Sequence, residues 1–154
     1  MKRKLIFTLI ILCLAVVSIS AVSAFWPFDS GSDVTVNGVN FHLPDGFDDV
    51  KENYLDSPSN YEAYTYENDD AHEYIQICVM DTDLDKQSIY DSLCRKGYGY
   101  ETVNGKDGVG RISTPGPRYG FFYVENNKYV MVDIPFVYAE EGLQHDELLA
   151  QIIK

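Results

Sequence analysis

The sequence predicts an α+β domain: a single antiparallel sheet of six or seven strands with two main helices packed on it, preceded by an N-terminal signal or anchor helix. Three observations carry this. Short apolar alternations recur with two-residue turn signals between them, two segments place apolar residues at helical spacing, and the chain opens with three cations ahead of a long uncharged run.

Lys2, Arg3 and Lys4 precede the apolar run Leu5 to Val17, and Val22-Ser23-Ala24 offers the small residues that a signal peptidase reads. Leu5 to Phe28 is uncharged throughout, and about 20 apolar residues suffice to cross a bilayer core, so residues 1–24 are either removed or retained as an anchor. Both alternatives hold the cations in the cytoplasm and place the rest outside. Cys13 follows Leu12, where a lipoprotein signal has a small residue, so lipidation is not expected. The leader contains three of the twelve Lys and Arg and none of the 24 Asp and Glu, so the exported part carries a net charge of about −15. That balance excludes nucleic acid as a partner and disfavours anionic headgroups, leaving the N-terminal segment as the one expected membrane contact.

Residues 25–33, with "WPFDSGSD", read as a tether, and residues 34–154 as the exported domain. "VTVNGVNFHL" alternates Val34, Val36, Val39, Phe41 and Leu43 about Asn37-Gly38, a two-residue hairpin signal. Pro44-Asp45-Gly46 marks a further turn, and a short helical turn is expected at 48–55. Two strands follow, joined at 67–71; the second puts Ile75, Ile77 and Val79 on one face and Tyr74, Gln76, Cys78 and Met80 on the other. Thr82 or Asp83 is placed to cap a helix whose Ile89, Leu93 and Cys94 share a side and which Gly97 ends. Another strand pair turns around 104–108, and "STPGPR" is a loop. In "YGFFYVENNKYVMVDIP" a turn at Asn126-Asn127 pairs Glu125 with Lys128, Tyr123 with Val130 and Phe121 with Val132. The opposite face, Phe122, Val124, Tyr129 and Met131, is nearly as apolar, so the hairpin needs cover on both sides. Leu143, Leu148, Leu149, Ile152 and Ile153 give the last helix one covering face. The Ile89 helix covers the other side unless that side is an interface.

This layout of an early "FHLPDGF" strand and turn, a central strand leading to a helix, the "YGFFYVENNKYVMV" hairpin and a closing helix resembles small exported α+β domains of the PsbP-like and DcrB-like type. It is also similar to short secreted proteins of methanogenic archaea. The resemblance spans most of residues 33–154 and implies a fold and an envelope location, with no catalytic residues to carry over.

Little chemistry is legible. Asp81, Asp83 and Asp85 open like a calcium loop, but Lys86 stands where the loop needs Gly and Ser92 where it needs Glu, so they are at most a weak metal site beside the ordinary reading of a helix start. Glu67, Asp69, Asp70 and Glu73 around His72 read as a solvated turn. Asp29-Ser30-Gly31 occurs once, too few for an aspartic-peptidase pair. His42, His72 and His145 lack metal spacing, and hydrolase and nucleotide-binding signatures are missing, so neither catalytic residues nor a cofactor are expected. Cys78 and Cys94, an even pair outside the cell, are a disulfide candidate; closing about 17 residues would contribute roughly 3 kcal/mol, and two buried thiols are the alternative.

Twelve tyrosines lie beyond residue 50. Tyr64, Tyr66 and Tyr74, with Phe122, Tyr129 and Met131, form the expected interaction face, against the ordinary reading of Tyr as a half-buried sheet residue. The function expected is a non-catalytic extracytoplasmic binding or accessory domain, secreted or membrane-anchored, whose partner is another envelope protein or a cell-wall component. An envelope hydrolase using carboxylates and a calcium-binding surface protein are the competing classes.

Overall fold

The computed structural model describes residues 31–52, 60–113, 118–135 and 145–154; the leader, most of the tether, the middle of the "STPGPR" loop and Leu143 lie outside the described residues. The elements run β1 (Ser32–Val36), β2 (Val39–Leu43), β3 (Asp49–Glu52), β4 (Tyr61–Asn68), β5 (Glu73–Asp81), α1 (Lys86–Cys94), β6 (Gly99–Val103), β7 (Lys106–Ser113), β8 (Arg118–Glu125), β9 (Lys128–Pro135) and α2 (His145–Ile152). Seven strands form one antiparallel sheet in the order β3-β4-β5-β9-β8-β7-β6. The mixed α+β class is therefore present, with two departures. β1 and β2 form a two-stranded sheet of their own. Residues 49–52 are an edge strand on β4, where a helical turn was expected. A single helical turn fixes several residues for one hydrogen bond, whereas pairing with β4 satisfies the same backbone groups as a ladder.

Three two-residue turns set the registers. Asn37-Gly38, Asn104-Gly105 and Asn126-Asn127 all have positive φ at both positions, the backbone that matches the twist of the flanking strands and that Asn and Gly adopt most readily. The last turn gives Glu125↔Lys128, Tyr123↔Val130 and Phe121↔Val132, as the alternation predicts.

Pairing then sorts side chains onto two faces. Ile75, Ile77, Val79, Val130, Val132 and Ile134 share the first face with Tyr119, Phe121 and Tyr123. Gly108 and Gly110 on β7 leave room for those rings: a Cβ at Gly108 would lie 2.5 Å from the Phe121 ring, and one at Gly110 would lie 2.1 Å from the Tyr119 hydroxyl. Leu148, Leu149, Ile152 and Ile153 of the α2 segment and Val36, Phe41 and Leu43 of the hairpin seal this face, each nearly free of water. Burying each such side chain contributes about 1.5–3 kcal/mol.

The hairpin is held by polar contacts at both ends. At its turn, the Asn37 backbone N–H donates to Glu62, its Oδ1 accepts from Lys128 Nζ at 3.1 Å, and its Nδ2 donates to the Val79 and Asn60 carbonyls at 3.4 Å. Lys128 is also paired with Asp81. At the open end, Phe41 bridges to Ile153, and Asp33 accepts from Lys154 Nζ at 2.6 Å and pairs with His42 Nδ1 at 2.8 Å.

Replacing Asn37 by Asp keeps the turn's backbone but places a carboxylate between Glu62 and Asp81. It should lower stability by about 2 kcal/mol in urea titration, while Asn127→Asp, at an exposed turn position, should change it by less than about 0.5. The Lys154 hydrogen bond, and then His42, hold the Asp33 carboxyl below its ordinary value of 3.8. A depressed carboxylate stabilises the fold above its unfolded pKa of about 3.9 and ceases to do so as pH falls through the lowered value. Asp33→Asn should therefore flatten part of the loss of stability below about pH 4; parallel pH profiles for variant and parent would refute this.

Candidate functional site

The second sheet face carries Tyr61, Ala63, Cys78, Met80, Val109, Phe122, Val124, Tyr129 and Met131, and α1 covers only part of it. The helix starts where the Asp85 carboxylate accepts the Ser88 N–H at 3.0 Å, and ends before Gly97, whose φ of 89° favours glycine. The cap is thus Asp85 and not Thr82 or Asp83. Thr82 Oγ1 instead accepts from the Leu84 N–H at 3.1 Å inside the preceding turn.

One buried side chain anchors α1 to the sheet, alongside surface bonds linking Tyr100 to Gln87 and Asp91. Tyr90 is the buried residue of the helix; its hydroxyl donates to the Asp107 carbonyl at 2.6 Å and accepts the Val124 N–H at 3.0 Å. Both partners lie on β7 and β8, so the helix is pinned toward that side, over the fully buried Val109. Its other side, with Ser88, Ile89, Ser92 and Leu93, stands across a cleft of about 270 Å³ from Met80 and Tyr129, with Leu84 and Lys96 at the rim. Leu84 is 68% exposed. The expected apolar side of the helix is therefore the wall of a cleft, and the residue that anchors the helix lies next to it in sequence.

An aromatic row continues from the cleft. Tyr98 meets Phe122 edge to face at 5.2 Å between centroids, and Phe122 stacks on Tyr129 at 5.8 Å. Burial pushes the Tyr129 phenol well up, so it stays neutral. Arg111 lies 5.6 Å from the Tyr98 ring and donates to the Lys96 carbonyl at 2.6 Å, joining β7 to the end of α1. Phe122, Tyr129 and Met131, all predicted for the interaction face, are half-buried here and adjoin one another through Phe122↔Met131 and the Phe122–Tyr129 stack.

The tyrosines divide. Tyr66 is 3% exposed on the sealed face, so its place in the interaction face is corrected; period-two alternation across β4 turns it, with Tyr64, toward Ile75 and Ile77. Tyr64 is half-buried against the same core. Tyr74 is exposed on the second face, where the Arg118 guanidinium lies 3.6 Å from its ring and donates to its carbonyl at 3.0 Å. Arg118 also binds Asp133, Nε to Oδ2 at 2.5 Å, with both groups largely buried. Sequence reasoning missed Tyr90 and the Arg118–Asp133 pair. Pro135↔Arg118 and Asp133↔Gly120 follow from extending the hairpin register, which was the available signal.

Cys78 and Cys94 are both free thiols in this structure, the alternative that the sequence left open beside a disulfide. Cys78 is held in the sheet with its sulfur 3.2 Å from the Tyr61 hydroxyl, while Cys94 sits on the last turn of α1. Burial raises the Cys78 pKa despite that hydrogen bond, and the same burial, ahead of the cysteine contact, pushes Tyr61 up to about 12. A raised thiol is a poor nucleophile.

Asp81, Asp83 and Asp85 are not brought together as ligands. Asp81 pairs with Lys128 and Asp85 caps α1, and among the described residues no three acidic, His or Cys side chains gather to hold a metal ion. The hydrolase class needs two carboxylates in one cleft with one shifted. The carboxyl that burial raises, Asp133, has Arg118 as its neighbour, and the guanidinium pulls against that shift. Glu101 Oε2 accepts from the Tyr119 hydroxyl at 2.6 Å beside His145, whose ring lies 4.1 Å from that of Tyr119.

No family model, curated protein or solved structure matches this chain. In thiol titration of the folded protein, Cys94 should react well before Cys78, and both should react on unfolding without reductant. Loss of both signals together until reductant is added would restore the bridge.

Proposed function

We propose that this chain is an exported, non-catalytic binding domain of the cell envelope, secreted or held by its leader, in the setting that the PsbP-like and DcrB-like layout implies. Its partner, an envelope protein or cell-wall component, is received in the cleft between α1 and the β5–β9 strands. One observation carries the reading: β8 and β9 are apolar on both faces, and Tyr90 sets α1 to one side of the second face, leaving Phe122, Tyr129 and Met131 partly exposed beside an open cleft. Half-covered aromatic and Met surface beside a concavity is what recognition surfaces are built from. The charge balance supports the same setting, because about −15 outside the leader favours solubility over adhesion to anionic polymers.

The test is position-specific cross-linking in the native host. A photoreactive residue at Leu84, on the cleft rim, should capture an envelope component. The same residue at Val50, 51% exposed on the far edge of the sheet, should not. Equal capture at both positions, or recovery of the full-length chain from the cytosol, would overturn the proposal.

A further inference from the structure

Five of the nine Lys and Arg in the described residues are engaged by carboxylates: Lys51 with Glu67, Lys106 with Glu125, Arg118 with Asp133, Lys128 with Asp81 and Lys154 with Asp33. The other four are Lys86, Arg95, Lys96 and Arg111, and no ion pair among the described residues includes them. All four lie on α1 or against its end: Lys86 opens the helix, Arg95 caps it, Lys96 lines the cleft, and Arg111 binds the Lys96 carbonyl. In a chain with 24 Asp and Glu, the described cations outside ion pairs thus concentrate along one helix, three of them at its C-terminal end. Helix electrostatics accounts for part of the pattern, because Arg95 and Lys96 stand at the negative end of the helix dipole. Lys86 stands at the positive end, where a cation is disfavoured, and the contact described for it is the face of the Tyr90 ring at 5.4 Å.

The cleft beside α1 has Lys96 in its lining and is mostly apolar, with Met80, Leu84, Ile89, Leu93 and Tyr129 on its walls. At about 270 Å³ it falls below the roughly 300–1,000 Å³ of sites that enclose a whole small molecule. It has room for one or two large side chains, the scale of an anchor on a polypeptide. We infer that the occupant is a peptide segment of a partner protein that inserts an apolar side chain between Leu93 and Tyr129 and sets Asp or Glu residues against Lys96, Arg95 and Arg111. This deepens the proposed function and rests on the cleft being a binding site. The other described cations are already engaged by carboxylates in a chain of net charge −12, so the cations at the end of α1 favour where and in which direction such a segment lies.

A random peptide library displayed on phage and selected against the folded exported domain tests it. Three variants keep the outcomes apart: Arg95→Glu with Lys96→Glu, both exposed positions; Leu93→Asp, in the cleft; and Lys51→Glu with Lys154→Glu, which makes the same change in net charge elsewhere. Selected sequences should pair Phe, Leu, Trp or Met with Asp and Glu. Their binding should weaken with rising salt, fall about tenfold or more in the Arg95/Lys96 variant, and survive the Lys51/Lys154 variant. Selected sequences that are neutral or basic, yet lose binding in Leu93→Asp, would overturn the acidic segment while leaving the cleft as the site. Selection of nothing, or of peptides indifferent to Leu93→Asp, would remove both.

Discussion

A strand pair with apolar side chains on both faces cannot rest against water on either side, and β8–β9 is such a pair. Phe121, Tyr123, Val130 and Val132 look one way, Phe122, Val124, Tyr129 and Met131 the other. The first set is fully covered, by α2 and by the separate β1–β2 hairpin. The second set is covered only in part, by a nine-residue helix whose one buried anchor is Tyr90. A helix of that length spans about 13 Å, roughly three strands' width at most, so a seven-stranded sheet exceeds its reach. The asymmetry between the faces follows from these lengths.

The sealed face depends on a hairpin that belongs to no larger sheet. Two strands alone are marginal in water, so β1–β2 must be stabilised by what it touches. Its apolar residues enter the common core, and its two ends are tied by Asn37 to the ends of β4, β5 and β9 and by Asp33 to Lys154. The side-chain amide of Asn104 adds a bond to the Ile153 carbonyl at 2.7 Å, fixing the last residues of the chain against the β6–β7 turn. Both ends of the described domain are thereby locked into one surface.

Much of this was legible wherever pattern and turn chemistry agree. The Asn126-Asn127 turn and its flanking alternation determine a register residue by residue, because a slip of one would expose Phe121 and Val132. The closing helix shows equally well, since Leu148, Leu149 and Ile152 fall on one stripe. What could not be read were relations between distant segments. Whether β1 adds to the main sheet or stands on it depends on Asn37 meeting Glu62 and Lys128, partners 25 and 91 residues away. Tyr66 and Tyr74 look alike in composition, yet Tyr66 pairs directly across from the buried Ile75 and lies inside, whereas Tyr74, one residue from Ile75 on the same strand, faces the other way. The cleft was hidden for the same reason: Tyr90 decides the position of α1 through bonds to Asp107 and Val124, which no local pattern links to it.

The edges of the sheet bear on where a partner can bind. An unpaired edge strand is the usual template for adding a strand from another chain. β3 is four residues long and carries the Lys51–Glu67 pair. β6 is five residues long and turns Glu101 inward, where one carboxylate oxygen takes the Tyr119 hydroxyl and the other is buried with no hydrogen-bond partner. An inward charge on an edge strand costs stability and makes further pairing costly, since an added strand would bury that carboxylate more deeply. With both edges of the main sheet blunted, the proposed site is the face beside α1 rather than a sheet edge. A partner that uses it must bring side chains to fill a cleft, which favours an anchored segment over an added strand.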